Sequence, residues 1–321
     1  MASTPRWGIT LPLQGHSLPE QREIIAELPD LGYTDAWSSE LSGIDAFTPL
    51  ILASQWTDQI RFGTAIAAIY TRGPALLAMT AATMADLAPG RFVMGIGTST
   101  PVVVEQWNSI PFDAPYRRSR DTLRFLKAAL TGEKITEQYE TFAVNGFRLE
   151  RPPSVAPDLA LAALRPQMIK LAADEAGAAI TNWLSPADVP KVRSAAGADC
   201  ELIARIFVLP TTDTDLARTI GRRLVTGYLT VPAYAAFHDW LGRGELLTPM
   251  QEKWAAGDRR GASAAIPDEV IDDLVIHGDL ETCRERVDAY RAAGLDTPVI
   301  AIVSPPGMDV AEAVRGLAPP C

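Results

Sequence analysis

The sequence predicts a (β/α)8 barrel, in which eight parallel strands close into a cylinder surrounded by helices. Short apolar runs typical of strands alternate with amphipathic stretches typical of helices, which is the pattern of parallel α/β proteins. The length of 321 residues suits such a barrel with one or two insertions. The 25 prolines and 23 glycines are dispersed through the connections, so we expect a single domain over residues 1–321.

Eight apolar runs supply the strands. They cover residues 7–13, 34–39, 60–69, 91–97, 159–164, 178–183, 202–209 and 297–303. Because most of them are separated by helical stretches, a closed barrel is favoured over an open, doubly wound sheet.

Helices are expected between these strands, and several begin or end at recognisable residues. Ser17 followed by Glu20 is typical of a helix start, and Gly32 of a helix end. Asp279 is a predicted cap for the helix before the last strand, which ends at Gly294. The other predicted helices cover residues 47–56, 75–87, 117–130 and 167–175.

Two segments interrupt the alternation and are predicted insertions. Residues 132–156 show no helical period, and we expect a β-hairpin around Asn145–Gly146 because Asn-Gly is a favoured hairpin turn. Residues 211–274, after the seventh strand, combine helical pieces with glycine and proline punctuation.

Composition excludes several classes of partner. The formal net charge of -10 disfavours nucleic acid and anionic membrane surfaces. There is no signal-peptide pattern and no apolar run of about 18 residues, so we expect a cytoplasmic protein. Three cysteines and three histidines are scattered along the chain, which predicts neither a disulfide framework nor a metal site.

The functional site of such a barrel lies at the carboxyl ends of its strands. This rule brings together the segments 37–40, 65–72, 97–100, 164–167 and 182–183. One pocket is therefore predicted from five parts of the chain.

These segments resemble, in order and spacing, those of the luciferase-like flavin and deazaflavin oxidoreductases. GYTDAWSSE (32–40) is similar to their second strand, FGTAIAAIYTR (62–72) to the third and RFVMGIGT (91–98) to the fourth. AALRPQMIKLA (162–172) and NWLSP (182–186) are similar to the fifth and sixth, and residues 279–296 to the C-terminal helix and turn. The resemblance covers nearly the whole chain except residues 211–274, and it is strongest to the branch that uses coenzyme F420. That family implies a bacterial-luciferase-like TIM barrel and a homodimer.

The resemblance implies a set of coenzyme-binding residues at these strand ends. Its members are Ser39, Glu40, Ala65, Ile66, Ala68, Gly97, Thr98, Ser99, Leu164, Arg165, Gln167 and Met168. The family has a non-prolyl cis peptide in its third strand, which maps onto Ala65–Ile66; the alternative is a plain buried strand.

Two members of this set have their own chemical argument. Gly97 and the hydroxyls after it can offer donors to a ribityl chain or phosphate, although such turns are common in α/β proteins. Arg165 precedes a helix, so it can meet an anionic tail together with the helix amides, or it is simply a surface arginine. Leu164 and Arg165 stand where relatives often have glycines.

Three residues are candidates for catalysis: Glu40, with Thr100 and Tyr70 as weaker ones. Glu40 can orient the coenzyme ring or relay a proton, or it can be an ordinary surface glutamate. Sugar-phosphate-oxidising relatives carry a histidine where Leu41 stands and a glutamate base where Thr100 stands, so that reaction is disfavoured. Ala68 replaces a coenzyme-contacting threonine.

Aromatic residues at predicted strand ends can form the walls of a substrate pocket, or they can pack in the core. Trp37, Trp107 and Trp183 are the candidate pocket residues. In the second insertion, Tyr228, Tyr234, Phe237, His238 and Trp240 can form a lid, dock the insertion or lie in a subunit interface.

The function predicted from these residues is a coenzyme F420-dependent oxidoreductase that reduces a small organic substrate. The alternatives are an FMN-dependent monooxygenase of the same fold and a coenzyme-binding protein without turnover. Fold alone does not separate the three.

Overall fold

The computed structural model describes residues 6–320, and within them eight parallel strands close into a barrel. All the strands, in chain order, are β1 (Gly8–Leu11), β2 (Asp35–Ser38), β3 (Arg61–Thr64), β4 (Ala67–Ala68), β5 (Phe92–Gly97), β6 (Ile135–Gln138), β7 (Ala143–Phe147), β8 (Asp158–Ala162), β9 (Ala178–Asn182), β10 (Glu201–Pro210), β11 (Val275–Gly278) and β12 (Thr297–Ile302). The barrel runs β1-β2-β3-β5-β8-β9-β10-β12 and returns to β1, with the pairing of β9 and β10 completing the ring. The predicted fold and its eight strands are confirmed.

Helices cover the outside of the barrel. They are α1 (Arg22–Glu27), α2 (Thr48–Ser54), α3 (Pro74–Leu87), α4 (Pro115–Leu130), α5 (Pro166–Glu175), α6 (Val189–Ala196), α7 (Thr214–Leu229), α8 (Pro232–Leu241), α9 (Gly244–Ala255), α10 (Arg259–Ala264), α11 (Asp268–Leu274), α12 (Leu280–Ala292) and α13 (Val310–Gly316). Short 3-10 turns cover Pro19–Gln21 and Pro186–Asp188, and a π-helical turn covers Val102–Trp107. No helix within residues 6–320 is long and apolar enough to cross a membrane.

The barrel interior is filled by a small set of side chains. Trp37 is the largest, and it packs with Val93, Ile180, Ile203 and Val299 from the other strands. The register places Trp37 beside Gly63. A Cβ on Gly63 would lie 2.2 Å from the Trp37 ring, so this position needs glycine.

Charged residues close the amino end of the barrel. Asp35, Arg61, Glu201 and Thr297 are the first residues of β2, β3, β10 and β12. Arg61 Nη2 lies 2.6 Å from Glu201 Oε1, and its Nε donates to Asp35 Oδ1 at 2.5 Å. Thr297 donates to the same Glu201 oxygen at 2.6 Å. This network ties four strands together at the face away from the predicted site.

The third strand is not continuous, although residues 60–69 were expected to form one strand. It divides into β3 and β4, and the intervening Ala65–Ile66 peptide is cis, as the resemblance implied. Thr64 Oγ1 donates to the carbonyl of Gly95 at 2.7 Å, which joins the break to β5. The chain at the break passes close to two glycines of β5: a Cβ on Gly95 would lie 1.8 Å from the Thr64 carbonyl oxygen, and one on Gly97 would lie 2.9 Å from Ile66 Cγ1.

The first predicted insertion contains a hairpin, but its turn is not at Asn145–Gly146. Strands β6 and β7 are antiparallel, and the connection covers residues 139–142. Asn145 and Gly146 lie within β7, opposite a register shift at Ile135 and Thr136. Gly146 has a φ of 74°, so its conformational freedom serves an irregularity in the strand and not the turn.

The second predicted insertion forms helices α7 to α11. These helices pack around a second apolar cluster that includes Phe207 and Leu209 of β10. The sequence prediction missed β11, a short strand that extends the sheet beside residues 207–210. A strand of four residues that follows a helix directly leaves little apolar pattern by which to recognise it.

Candidate active site

A cavity of about 220 Å³ opens at the carboxyl ends of the strands, where the sequence predicted a pocket. Its walls come from the ends of β5, β8, β9 and β10, from the Ala65–Ile66 peptide and from helices α5, α7 and α8. The lining residues are Ala65, Ile66, Thr98, Ser99, Thr100, Ala162, Leu164, Arg165, Met168, Ile180, Thr181, Asn182, Arg205, Tyr228, Val231, Ala233 and Tyr234.

Most of the predicted coenzyme-binding residues meet in this cavity. Seven of them line it: Ala65, Ile66, Thr98, Ser99, Leu164, Arg165 and Met168. Thr100, a catalytic candidate, lines it as well. Gly97 lies directly behind the wall, since a Cβ on it would be 2.9 Å from both Ile66 Cγ1 and Ala162 Cβ. Its lack of a side chain lets the cis peptide and β8 approach each other.

Four of the predicted coenzyme-binding residues lie away from the main cavity. Ser39 lines a narrow space of about 10 Å³ deeper in the barrel, together with Trp37 and Ala65. Glu40 and Ala68 line a separate cleft of about 390 Å³ beside the barrel. Gln167 is exposed at the start of α5.

The carboxylate of Glu40 is fully engaged by neighbours. Its Oε1 accepts from Arg72, whose Nε lies at 2.9 Å and whose Nη2 makes a second contact. Its Oε2 accepts from the backbone N–H of Ala68 at 3.1 Å, and the Glu40 N–H donates to the carbonyl of Ile66 at 3.2 Å. Glu40 therefore connects the chain after β2 to the backbone of Ile66 and Ala68 and to the side chain of Arg72.

Tyr70 does not reach the cavity, which corrects its assignment as a catalytic candidate. Its side chain is buried, it stacks on Phe112 at 5.0 Å, and its hydroxyl donates to the carbonyl of Asp113. Burial raises the pKa of Tyr70 to about 12. Packing against the segment before α4 explains this residue. Thr100 does line the cavity, and its hydroxyl accepts weakly from Val103 N at 3.4 Å.

None of the three candidate tryptophans lines the main cavity. Trp107 ends the π-helical turn and is 53% exposed. Trp183 is buried and stacks on Phe207, with ring centroids 3.9 Å apart. Trp37 fills the barrel interior and borders only the narrow deeper space. Core packing accounts for Trp37 and Trp183, because large aromatic side chains fill barrel interiors well.

The aromatic wall comes instead from the second insertion. Tyr228 ends α7 and Tyr234 lies in α8, and their rings meet edge to face at 5.3 Å. The hydroxyl of Tyr234 is 3.4 Å from Asn182 Nδ2, which links the insertion to the end of β9. Desolvation of its hydroxyl raises the pKa of Tyr234, so the phenol keeps its proton.

Arg205 is the main functional candidate that the sequence analysis missed. It borders the main cavity, the narrow space inside the barrel and a further small space at the carboxyl ends of β1 and β12. Its guanidinium carbon lies 4.8 Å from the centre of the Phe207 ring. The signal in the sequence was a single charged residue within the apolar run LIARIFVL (202–209). A charge on a buried strand needs a partner or a function.

Several buried polar atoms around these cavities have no hydrogen-bond partner in the described residues. They are Thr10 Oγ1, Trp37 Nε1, Thr181 Oγ1 and Arg205 Nε. Thr10, Trp37 and Arg205 border the narrow space inside the barrel, and Thr181 and Arg205 border the main cavity. Buried polar groups are nearly always paired, so these atoms indicate a site for a polar ligand.

The family of the chain follows from a match between its sequence and a family profile. The profile of the luciferase-like monooxygenases matches residues 3–297. The chain belongs to the luciferase-like monooxygenase family. Its barrel is accordingly that of the luciferase-like oxidoreductases, as the motifs at the strand ends implied.

Individual luciferase-like proteins resemble the chain over nearly its whole length. A Mycobacterium tuberculosis protein, whose name assigns it provisionally to the coenzyme F420-dependent oxidoreductases, is 26% identical over 97% of this chain and 95% of its own. The F420-dependent tetrahydromethanopterin reductase of Methanopyrus kandleri superposes with a TM-score of 0.78 at 20% identity, covering 98% of both chains. The FMN complex of a Baeyer-Villiger monooxygenase from Pseudomonas putida reaches 0.64 at 15% identity, over 98% of this chain and 97% of its own. Both kinds of coenzyme therefore occur on this fold.

Proposed function

We propose that the chain is a coenzyme F420-dependent oxidoreductase that reduces an organic substrate. The observation that carries the proposal is the chemistry of the cavity wall. Among the described residues that line it, the ionisable side chains are two arginines and two tyrosines, and the others are hydroxyls, one amide and apolar groups.

This wall suits reduction better than oxidation. Oxidation of an alcohol needs a group that removes the hydroxyl proton, such as a carboxylate or an imidazole near its operating pKa. Reduction of an acceptor develops negative charge, which cations and hydroxyl donors stabilise when they are already in place. The fixed charge of Arg205 and the protonated phenol of Tyr234 are groups of this second kind.

The coenzyme has a natural place between the cis peptide and α5. Ala65 and Ile66 offer a backbone wall without large side chains, and the residues after β5 offer hydroxyls. Arg165, in an extended conformation just before the ten-residue helix α5, lies where an anionic tail can meet both its guanidinium and the free helix amides. When bound, the reduced deazaflavin supplies a hydride.

The protein's own residues would orient the acceptor, exclude water and provide the accompanying proton. Tyr228 and Tyr234 close the cavity on the side of the insertion. The Tyr234 hydroxyl, held near Asn182, is the proton donor that the geometry favours, because it faces the cavity and keeps its proton. Two-electron reduction then adds one hydride and one proton to the acceptor.

Equilibrium titration tests the proposal. We expect the intrinsic fluorescence of the protein to be quenched by F420 at micromolar concentration, with FMN binding much more weakly. Arg165→Met should lower the affinity for F420 by about tenfold, since it removes a charge-assisted contact to the tail. The same variant should hardly change the affinity of a deazaflavin chromophore that lacks the phosphate tail.

Two outcomes would reject the proposal in different ways. Tight FMN binding without F420 binding would indicate the FMN-dependent monooxygenase instead. Saturable F420 binding without turnover on a broad panel of acceptors would indicate a coenzyme-binding protein.

We also propose that the chain acts as a homodimer in the same compartment as its small-molecule substrate, the cytoplasm. Apolar side chains on α2 and α3 remain exposed in the described chain, including Ile51, Leu76 and Met79. Light scattering at micromolar protein concentration tests this part, and a strictly monomeric mass would contradict it.

A further inference from the structure

We propose that Arg205 binds a carboxylate of the substrate, so that the acceptor reduced in this cavity is a compact organic acid. The inference rests on the proposed function, because it assigns the substrate class of the same site. It starts from a half-buried arginine whose Nε is fully buried and whose guanidinium has no carboxylate partner among the described residues.

The two arginines that are buried in the described chain have carboxylate partners. Arg61 pairs with Asp35 and Glu201, and Arg243 pairs with Asp188 and Asp273. Arg205 differs from both. Within residues 6–320, no carboxylate lies within 4.0 Å of its guanidinium, and its buried Nε donates to nothing. A desolvated charge without a partner is costly, so an anionic ligand is the expected compensation.

The position of Arg205 separates it from the predicted coenzyme wall. Around the ring of eight strands, β10 and β3 are four places apart, so they form opposite walls of the barrel. Arg205 lies on β10, and the cis peptide follows β3. A coenzyme ring that rested on the cis peptide would leave the space between the ring and β10, where Arg205 lies, for the substrate.

The shape of the space around Arg205 selects a small planar anion. Arg205 also borders two smaller spaces, one inside the barrel and one at the carboxyl ends of β1 and β12. They measure about 10 and 40 Å³, enough for only a few atoms. Guanidinium donors form a planar fork that matches a carboxylate, with two parallel hydrogen bonds. Thr10 Oγ1 borders both of these spaces, and Thr181 Oγ1 borders the main cavity; both hydroxyls are buried and unpaired.

The rest of the cavity fits an apolar body on this acid. Ile180, Val231, Ala233 and the rings of Tyr228 and Tyr234 line it beside Arg205. Arg165 is exposed at the end of β8 beside Leu164 and Met168, two strands away from Arg205 in the barrel. We therefore assign Arg165 to the coenzyme tail and Arg205 to the carboxylate of the substrate.

Calorimetric titration with a matched pair of probes tests the inference. The probes are cinnamate and cinnamamide, which share a shape and differ in charge, and the protein is saturated with oxidised F420. We expect wild-type protein to bind cinnamate at least about tenfold more tightly, as a bidentate charged contact implies. Arg205→Met should abolish the preference, while Arg205→Lys should keep part of it. Affinity for F420 should stay within about threefold in Arg205→Met.

Equal affinities of wild-type protein for the two probes, or no binding of either, would overturn the inference without any variant having to fold. The inference would also be overturned if the Arg205→Met variant, shown to be folded by its melting curve, lost affinity for F420 and for cinnamate in the same proportion. Failure of the proposed function gives a different result. If F420 did not bind, the coenzyme assignment would be wrong. The acid site would still be supported if the coenzyme-free protein preferred cinnamate and this preference depended on Arg205.

Discussion

Arg72 fixes the carboxylate of Glu40, with its Nε 2.9 Å from Oε1. The other oxygen of Glu40 accepts from the backbone of Ala68, so both oxygens are occupied. The pair connects the end of β2 with the segment that follows the cis peptide. A carboxylate held in this way is suited to positioning the coenzyme wall, and less suited to passing protons.

Replacing Glu40 by glutamine tests this positioning role. We expect F420 affinity and kcat/KM to fall together by roughly tenfold, because a charge-assisted hydrogen bond that positions the wall is weakened. Arg72→Lys should reproduce the same paired loss, since it disrupts the other side of the contact. A fall in kcat with unchanged F420 affinity would contradict positioning and restore Glu40 as a proton relay.

The pH dependence of turnover should be flat near neutrality. The described residues that line the cavity include no carboxyl, imidazole or amine group, and desolvation raises the pKa of Tyr234 further above neutrality. We therefore expect kcat/KM to change less than about twofold between roughly pH 6 and 9, because histidine and cysteine, the side-chain types with reference pKa values in that range, are absent from the described lining. A bell-shaped profile with a limb near pH 7 would show that a titrating group acts in the site.

The network at the amino end of the barrel should govern stability without affecting the site. Arg61→Met leaves Asp35 and Glu201 without their buried partner, which should lower the free energy of unfolding by about 3–5 kcal/mol. Denaturant unfolding measures this loss. F420 affinity should not change in the variant at temperatures where it is folded, because the network lies at the opposite end of the strands. A stability loss below about 1 kcal/mol would contradict the assignment.

Because of Glu201, the stabilisation by the same network depends on pH. Burial alone would raise the pKa of Glu201, but hydrogen bonds and charge from Arg61 outweigh it and lower that pKa. A lowered pKa in the folded state stabilises the protein above the unfolded pKa of about 4.3, and this contribution is lost as the pH falls through the folded value. Melting temperature should thus decline less steeply in acid for Glu201→Gln than for wild type.

Gly97 allows the cis peptide and β8 to approach each other, and adding a methyl group should disturb the coenzyme wall. In Gly97→Ala the new Cβ would lie 2.9 Å from Ile66 and from Ala162. Such overpacking costs about 1–3 kcal/mol, and we expect F420 affinity to fall by about tenfold. Gly73→Ala is the matched control, because a Cβ there meets nothing within 4 Å. Equal F420 affinity for the two variants would contradict this account of Gly97.

Much of the fold could be predicted because the strands leave a strong apolar pattern. All eight barrel strands were located from runs such as RFVMGIG (91–97), and Asp279 does cap α12 by accepting from Thr282 N at 2.8 Å. The hairpin turn was misplaced because Asn145–Gly146 has the composition of a turn but serves an irregular strand. Local composition does not distinguish the two without the pairing partner.

Residues of the cavity wall could be predicted where their backbone position decides whether they line it. They were missed where the direction of the side chain decides it. Ala65, Thr98 and Leu164 followed from the rule that strand ends meet at one face of the barrel. The tryptophans were misjudged because a strand end does not reveal whether an indole points inward to the core or upward to the cavity. Arg205 was not predicted because it stands in the middle of an apolar run, and the rule that selects strand ends does not apply to such a position.

A crystal structure with oxidised F420 bound tests the central claim most directly. The account predicts the deazaflavin ring against the Ala65–Ile66 peptide, the phosphate tail beside Arg165 and α5, and the open face of the ring toward Arg205 and Tyr234. Electron density for the ring in the cleft beside Glu40, or for the phosphate tail on Arg205, would contradict it.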